Sequence, residues 1–211
     1  MNQEKINNAY NEGAGKYAER YYNELDYKPL DRQLLDRFSD EVKNKGRVCD
    51  IGCGPGEVAN YLYEKGLKVM GIDASEGMIR EATRLNRNIE FILDDMMKLK
   101  SEDQVFEGIT SSYAIVNFDY EHVLVAIKEY HRTLKMNGLL FLSFHVNEGI
   151  ISVDDFFETG IPLDFYLFDE NKIVNMLKDV GFEISEALVR FPYKEEYPTK
   201  RCYILASKIP E

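Results

Sequence analysis

The 211-residue chain has little that would tie it to a membrane, a nucleic acid or a disulfide framework. Its apolar runs are strand-sized, far short of the roughly 20 residues a membrane helix needs. No basic run appears. Acids outnumber bases 37 to 26, a formal charge of −11. Nucleic acids and anionic membranes are met largely through Lys and Arg, so the expected partners include neither. Cysteine is scarce. Cys49 and Cys53 flank one glycine-rich turn, Cys202 stands alone, and no second metal-like pair exists. Such usage argues against disulfides and zinc and for reduced thiols in a cytoplasmic protein. The opening "MNQEKINNAYNEG" is polar and reads as no secretory signal. Internal repeats, low-complexity segments and linkers to a second domain are also missing.

What is present is an alternation of strands and helices. Two amphipathic helices, over 2–22 and 30–44, come first, separated by "DYKP". Then follow strand "RVCDI", helix "EVANYLYEKG", strand "LKVMGID", and helix "SEGMIREATRLN" with Ser75 as its N-cap. Strands "IEFILD" and "GITSSYA", helix "YEHVLVAIKEYHRTLK", a turn at Asn137-Gly138 and strand "LLFLSFH" complete a core. After an irregular stretch come helix "DENKIVNMLKDVG" and strands "FEISEALVRF" and "RCYILASK". The pattern predicts an α/β fold: a Rossmann-like, seven-stranded, mostly parallel sheet with helices on both faces. The last two strands have no helix between them, so they should form an antiparallel hairpin at one edge. One domain is expected over 1–211. It has an N-terminal helical cap (1–44), a core (45–145), a segment on the binding face (146–170) and a C-terminal helix and hairpin (171–211).

The most informative stretch is "RVCDIGCGPGEVANYL". It reads as strand, glycine turn and helix. Its glycines fall at 52, 54 and 56, and Glu57 stands where a dinucleotide fingerprint would have its third glycine. No Walker lysine follows, which excludes a P-loop. Gly52, Gly54 and Gly56 let the backbone turn sharply and a ligand approach. Asp50 lies beside the turn, Asp73 ends the second strand and Asp95 follows the third. An acid at the end of the second strand can accept hydrogen bonds from both ribose hydroxyls. Three acids at successive strand ends suit a nucleoside with a cationic appendage better than a pyrophosphate.

These residues resemble the class I S-adenosylmethionine-dependent methyltransferases, closely over about 45–145 and loosely beyond. "VCDIGCGPG" looks like the first motif of that family, hydrophobic-x-acid-x-G-x-G-x-G. "FILDDMMKL", "FEGITSSYAIVNF", "LKMNGLLFLSF" and "IVNMLKDVGFEI" resemble its later segments, in the branch that mostly modifies small molecules. The resemblance implies S-adenosylmethionine as cofactor and S-adenosylhomocysteine as product. It implies that Gly52 and Gly54 bring backbone close to the methionine end, with Gly56 also in the cofactor-binding turn and Asp50 supporting the turn or the amino group. Asp73, with Ala74 beside it, would take the ribose, and Asp95 and Met96 the adenine. Ser112 and Tyr113 would line the transfer region. The family often shows histidines after the fourth strand, where this chain has Val116 and Asn117.

A sulfonium methyl is already activated, so such an enzyme mainly aligns its acceptor. A base is needed only for a protonated acceptor, and His145, ending the fifth strand, is the best placed. His122 and His131 sit on a helix and read as structural. Of the tyrosines in the first helix (Tyr10, Tyr17, Tyr21 and Tyr22), Tyr17 and Tyr21 enter as candidates to cap the pocket. Segment 146–170 has seven acids, no Lys or Arg, and five aromatics. It suits a substrate lid, with an acidic edge whose aromatics join the core as the other reading. As a lid, it predicts a neutral or cationic small-molecule acceptor with an apolar part. The hairpin loop "FPYKEEYP" would form the rim. The expected activity is methyl transfer to a small molecule by a monomer or homodimer. The alternatives are a cofactor-binding module without turnover and, less favoured, a nicotinamide oxidoreductase.

Overall fold

The computed structural model describes residues 3–210. Residue 2, counted above in the first helix, lies outside the described residues. The chain begins with helix α1 (Gln3–Tyr21), a short 3-10 turn (Glu24–Tyr27) and α2 (Pro29–Val42). The core runs β1 (Arg47–Ile51), α3 (Glu57–Glu64), β2 (Lys68–Asp73), α4 (Glu76–Leu85), β3 (Glu90–Leu93), β4 (Phe106–Ser112), α5 (Tyr120–Thr133) and β5 (Leu134–Val146). It ends with β6 (Gly149–Val153), β7 (Leu163–Leu167), α6 (Glu170–Val180), β8 (Phe182–Arg190) and β9 (Lys200–Lys208).

Seven strands make one sheet in the order β3-β2-β1-β4-β5-β9-β8. β1 to β5 are parallel, and β9 alone runs against its neighbours β5 and β8. The expected hairpin therefore sits at the sheet's edge. The order reverses between β1 and β4, which opens a crevice at their carboxyl ends.

The central strands β1, β4, β5 and β9 are mostly buried because both faces are covered, whereas the edge strands β3 and β8 stay partly exposed. On β9, Cys202, Ile204 and Ala206 join one core with Val123 and Ile127 of α5 and Ile173 of α6. Tyr203 and Leu205 join the other, with Leu35 and Phe38 of α2 and Leu62 of α3. Phe38 meets Phe141 edge-on at 6.5 Å. It lies over Gly108, where an added Cβ would come within 2.6 Å of its ring. Burying side chains of this size contributes about 1.5–3 kcal/mol each. Ser75 caps α4 as expected, its Oγ accepting from Met78 N at 3.1 Å.

Two local expectations are corrected. The stretch after β5 is not irregular: β6 and β7 pair as a second, two-stranded antiparallel sheet, joined through a 3-10 turn (Phe156–Glu158). Asn137-Gly138 does not interrupt the chain. Asn137 takes a positive φ of 61° inside β5. The pairing with β4 shifts register there, so the expected turn is absorbed as a bulge. Among the described residues no helix is long and apolar enough to cross a membrane.

Candidate active site

The three glycines of the turn answer three different demands. All have positive φ. A Cβ on Gly52 would lie 2.3 Å from the Cβ of Ala114, so this glycine lets the chain after β4 pack against the turn. Gly56 caps α3, and a Cβ there would lie 2.7 Å from Asn86 Nδ2 and 2.8 Å from Phe91 Cζ. Only Gly54 keeps an open side, its nearest neighbour being Tyr17 Cε1 at 3.8 Å. A ligand can lie against bare backbone there.

Acids surround that opening. Asp73 ends β2 and clamps the turn to α4. Its Oδ2 accepts from Gly54 N at 2.9 Å and its Oδ1 from Ser75 N at 2.9 Å, across Ala74. Burial raises its pKa, and the bonds from Ser75, Gly54 and Ala74 pull it back. Asp50 faces Thr110 in the β1–β4 register and accepts from its hydroxyl at 2.7 Å. Its other oxygen is buried with no partner. Burial pushes its pKa up to about 7, against the Thr110 bond. Glu57, first residue of α3, likewise buries Oε2 with no partner. Burial, and then Glu24, lift its carboxyl well above the usual range. Unpartnered carboxyl oxygens in such a place want donors or positive charge, so this set of acceptors fits a ligand with hydroxyl and cationic groups.

The remaining candidates surround the same strand ends. Asp95 is half-buried and accepts from Met97 N at 2.9 Å, whereas Asp94 is buried and accepts from Lys100 N at 2.8 Å. Met96 is a core residue whose sulfur accepts from Tyr130 at 3.4 Å. Ser112 closes β4 opposite Ser143. Tyr113 leaves the strand at φ 53°, its hydroxyl 3.1 Å from that of Tyr203.

α1 covers the turn. Asn11 Oδ1 accepts from Ser75 Oγ at 2.8 Å and from Gly77 N at 3.0 Å. A Cβ on Gly77 would lie 2.4 Å from Asn11 O, so this glycine allows the helix to dock. Tyr10 donates to Asn117 Oδ1 at 2.8 Å, and Asn117 Nδ2 donates to Asp164 O at 3.0 Å. Asn117, where the resemblance directed attention to a histidine, therefore ties α1 to β7.

Beyond α1 lies a cavity of about 590 Å³. Tyr10, Tyr17 and Tyr21 form its wall from α1, and Phe156, Phe157 and Phe165 from the small sheet. Tyr17 packs 4.8 Å from Tyr21 and 5.5 Å from Phe157, centroid to centroid. Tyr113, His145, Lys28 and Arg201 line the inner end, and Tyr197 and Pro198 of the hairpin loop the rim. Of the sequence candidates, Tyr17, Tyr21, Tyr113 and His145 thus line the cavity. The glycines, Asp50, Asp73, Ala74, Asp95, Met96 and Ser112 lie outside its lining.

The His145 ring lies 5.0 Å from Tyr113, with Nδ1 2.8 Å from Thr199 Oγ1. Burial, then Arg201 and Lys28, push its pKa down to about 3, so it is a neutral ring near pH 7. The aromatics of segment 146–170 divide: Phe168 is in the main core, while Phe156, Phe157 and Phe165 reach the cavity. None of its seven acids does. Asp154, Asp155 and Glu158 are exposed, Glu148 pairs with Lys172 at 2.8 Å, and Asp169 caps α6. The cavity's charges instead come from Arg20, Lys28, Arg201, Glu24, Glu195 and Glu196. Sequence reasoning missed Lys28, Asn117 and the charged inner end. Tyr10 carried a signal, because it shares a helical face with Tyr17 and Tyr21.

A methyltransferase-domain family model matches residues 48–138. The chain is similar to YqeM of Bacillus subtilis, 27% identical over 195 residues that cover 87% of this chain and 78% of that protein. It is similar to the demethylmenaquinone methyltransferase of Thermotoga maritima, 29% identical over 168 residues covering 67% and 72%. Its fold matches magnesium protoporphyrin IX methyltransferase of Synechocystis, solved with bound S-adenosylmethionine. There the TM-score is 0.73 at 19% identity, over 99% of this chain and 98% of that one. Residues 48–138 match a methyltransferase domain, and these likenesses, joined to the glycine turn and its strand-end acids, support a class I S-adenosylmethionine-dependent methyltransferase.

Proposed function

We propose that this enzyme holds S-adenosylmethionine against Gly54 at the ends of β1, β2 and β4, and methylates a flat, largely apolar small molecule seated in the aromatic cavity. The observation that carries the proposal is a shared wall. Tyr17 lies 3.8 Å from the open side of Gly54 and also lines the cavity, so the two compartments adjoin. When bound, the cofactor supplies a methyl carbon already activated by its sulfonium sulfur, whose bonding pair returns to that sulfur as the acceptor is methylated.

The chain's own residues bind and orient. Asp73 takes the ribose hydroxyls, and Asp50 and Glu57 offer unpartnered oxygens to cationic groups. Asp95 and Met96 border the adenine, and Gly52 and Gly56 shape the turn. Ser112 and Tyr113 sit where β4 meets the cavity. Tyr17 and Tyr21 exclude water, which strengthens every electrostatic contact inside. His145, held by Thr199 and neutral, serves as a hydrogen-bonding partner for the acceptor instead of its base. We place this activity in the cytoplasm, in a monomer or homodimer, on the strength of the free buried cysteines and the acidic composition.

The test is formation of S-adenosylhomocysteine with a library of hydroxyl compounds, amines, carboxylates and phosphates. Turnover confined to compounds with a flat apolar body is expected. Tight cofactor binding with no turnover on any compound would overturn the proposal in favour of a binding module.

A further inference from the structure

The two ring nitrogens of His145 stand in different surroundings. Nδ1 lies 2.8 Å from Thr199 Oγ1. Among the described residues no partner meets Nε2, and the ring lines the cavity, so this nitrogen is left for a ligand. The ring cannot turn freely. It packs on Tyr113 at a tilt of 36°, and the Tyr113 hydroxyl is itself engaged with Tyr203. Arg201 stands opposite His145 in the antiparallel register of β5 and β9. Thr199 precedes β9, two residues before Arg201.

A neutral imidazole has one N–H and one bare nitrogen, and the hydrogen bond at one nitrogen decides which is which. Among the described residues, Thr199 Oγ1 faces two groups, His145 Nδ1 at 2.8 Å and Arg201 Nη1 at 3.4 Å. A guanidinium offers hydrogens and no acceptor. It draws the lone pairs of the hydroxyl toward itself and turns the hydroxyl hydrogen away, toward Nδ1. Arg201 is fixed in that place. It is buried, its Nη1 also donates to Tyr197 O at 2.7 Å and to Thr199 O, and its Nε lies 3.3 Å from Glu196. Glu196 also pairs with Lys28 and Arg190, Lys28 with Glu24, and Arg190 with Asp31, so three acids and three cations hold one another. The ring stays neutral because burial, then Arg201 and Lys28, disfavour a second proton, against the pull of Glu196.

Resting on the assignment of this cavity to the acceptor, we propose that Thr199 is a positioning residue: with Arg201 behind it, its hydroxyl donates to Nδ1 and fixes the His145 proton on Nε2, as a donor offered to the acceptor molecule. This arrangement selects molecules that place a lone pair there, from a carbonyl, an ether or a ring nitrogen. An ammonium group at the same point would set hydrogen against hydrogen. A lone-pair group is oriented by the bond without being deprotonated. His145 gains and loses no proton during turnover, so its work is to fix the pose of the acceptor beside the cofactor.

The tautomer is read directly by nitrogen-15 NMR of the histidine-labelled enzyme saturated with S-adenosylhomocysteine, with His145 assigned by the signals lost in His145→Gln. The protonated and bare nitrogens of a neutral imidazole resonate far apart. Nε2 should carry the proton in the parent and in Thr199→Ser, and Thr199→Val should show a mixture of the two forms. S-adenosylhomocysteine affinity and the unfolding midpoint report whether each variant is folded. Coumarin, which has a lactone carbonyl and no hydroxyl, is the ligand probe, and naphthalene is its apolar counterpart. Coumarin should shift the Nε2 resonance and bind about two- to tenfold more weakly to Thr199→Val, whereas naphthalene should bind parent and variant alike. A proton on Nδ1 in the parent, or an unchanged single form in folded Thr199→Val, overturns the role of Thr199 and leaves the acceptor cavity in place. An Nε2 resonance that coumarin does not move overturns the donor role. No turnover on any compound of the library removes the acceptor and this inference with it, whatever the tautomer.

Discussion

Asp50 and Thr110 face each other because β1 and β4 pair in that register, and the pairing leaves one carboxylate oxygen buried and unpartnered. The sign of the pH effect follows. Burial raises this carboxyl from 3.8 to about 7, so the folded chain retains a proton that the unfolded chain gives up. Stability from this residue is therefore highest below about pH 4 and declines as pH rises toward 7, at up to about 1.4 kcal/mol per pH unit. Denaturant midpoints of the parent should fall over that interval relative to Asp50→Asn. A parallel pair of curves would show that the Asp50 proton is not held. At Asp73 the expectation concerns affinity. Removing a charged acceptor costs about 1.5–3 kcal/mol, so Asp73→Ala should weaken S-adenosylmethionine binding about tenfold to more than a hundredfold by calorimetry. Asp73→Asn keeps the size of the side chain and should fall between the two. Asp50, Asp73 and the glycines were legible in the sequence because their chemistry is local, set by a strand end and a turn. The separate reason for each glycine was not, since Ala114, Tyr17 and Phe91 reach the turn from distant segments.

Among the elements, α1 and the β6–β7 sheet decide how closed the site is. Gly77→Ala would set a Cβ against the backbone of Asn11 and force α1 to move off α4. Hydrogen exchange should then quicken across residues 3–21 while β1 to β5 stay protected. Exchange confined to the first turn of α4 would instead mean that α1 adjusts locally. Asn117→Ala removes the link to Tyr10 and to Asp164 O. Leaving buried partners unsatisfied costs about 1–3 kcal/mol, and exchange should rise in both α1 and β7. The main strands and helices were readable from their periodicity and caps. β6 and β7 were not, because the pair stands outside the strand–helix alternation and is mostly exposed or half-buried, with no continuous apolar run. The Lys28 cluster was hidden for another reason: its members meet only after folding, as with Arg190 and Asp31, 159 positions apart.

For the whole molecule, a ligand that binds only the folded chain stabilises it by mass action. At a hundred times Kd the gain is about 2.7 kcal/mol, and a domain of this size gains roughly 2–4 °C per kcal/mol. S-adenosylmethionine should therefore raise Tm by about 5–11 °C at that concentration in a thermal melt, with NAD producing no shift. An equal shift from NAD would point to a nucleotide site of the wrong class. The docking of α1 has one more consequence, for the sequence of events during turnover. α1 covers the glycine turn and walls the aromatic cavity, so with cofactor and acceptor placed as proposed, an acceptor seated first would block the way to Gly54. Binding should follow a compulsory order, cofactor leading and its demethylated product departing last. In steady-state kinetics S-adenosylhomocysteine should then compete with S-adenosylmethionine yet inhibit noncompetitively against the acceptor, and the enzyme would stall as homocysteine-type product accumulates.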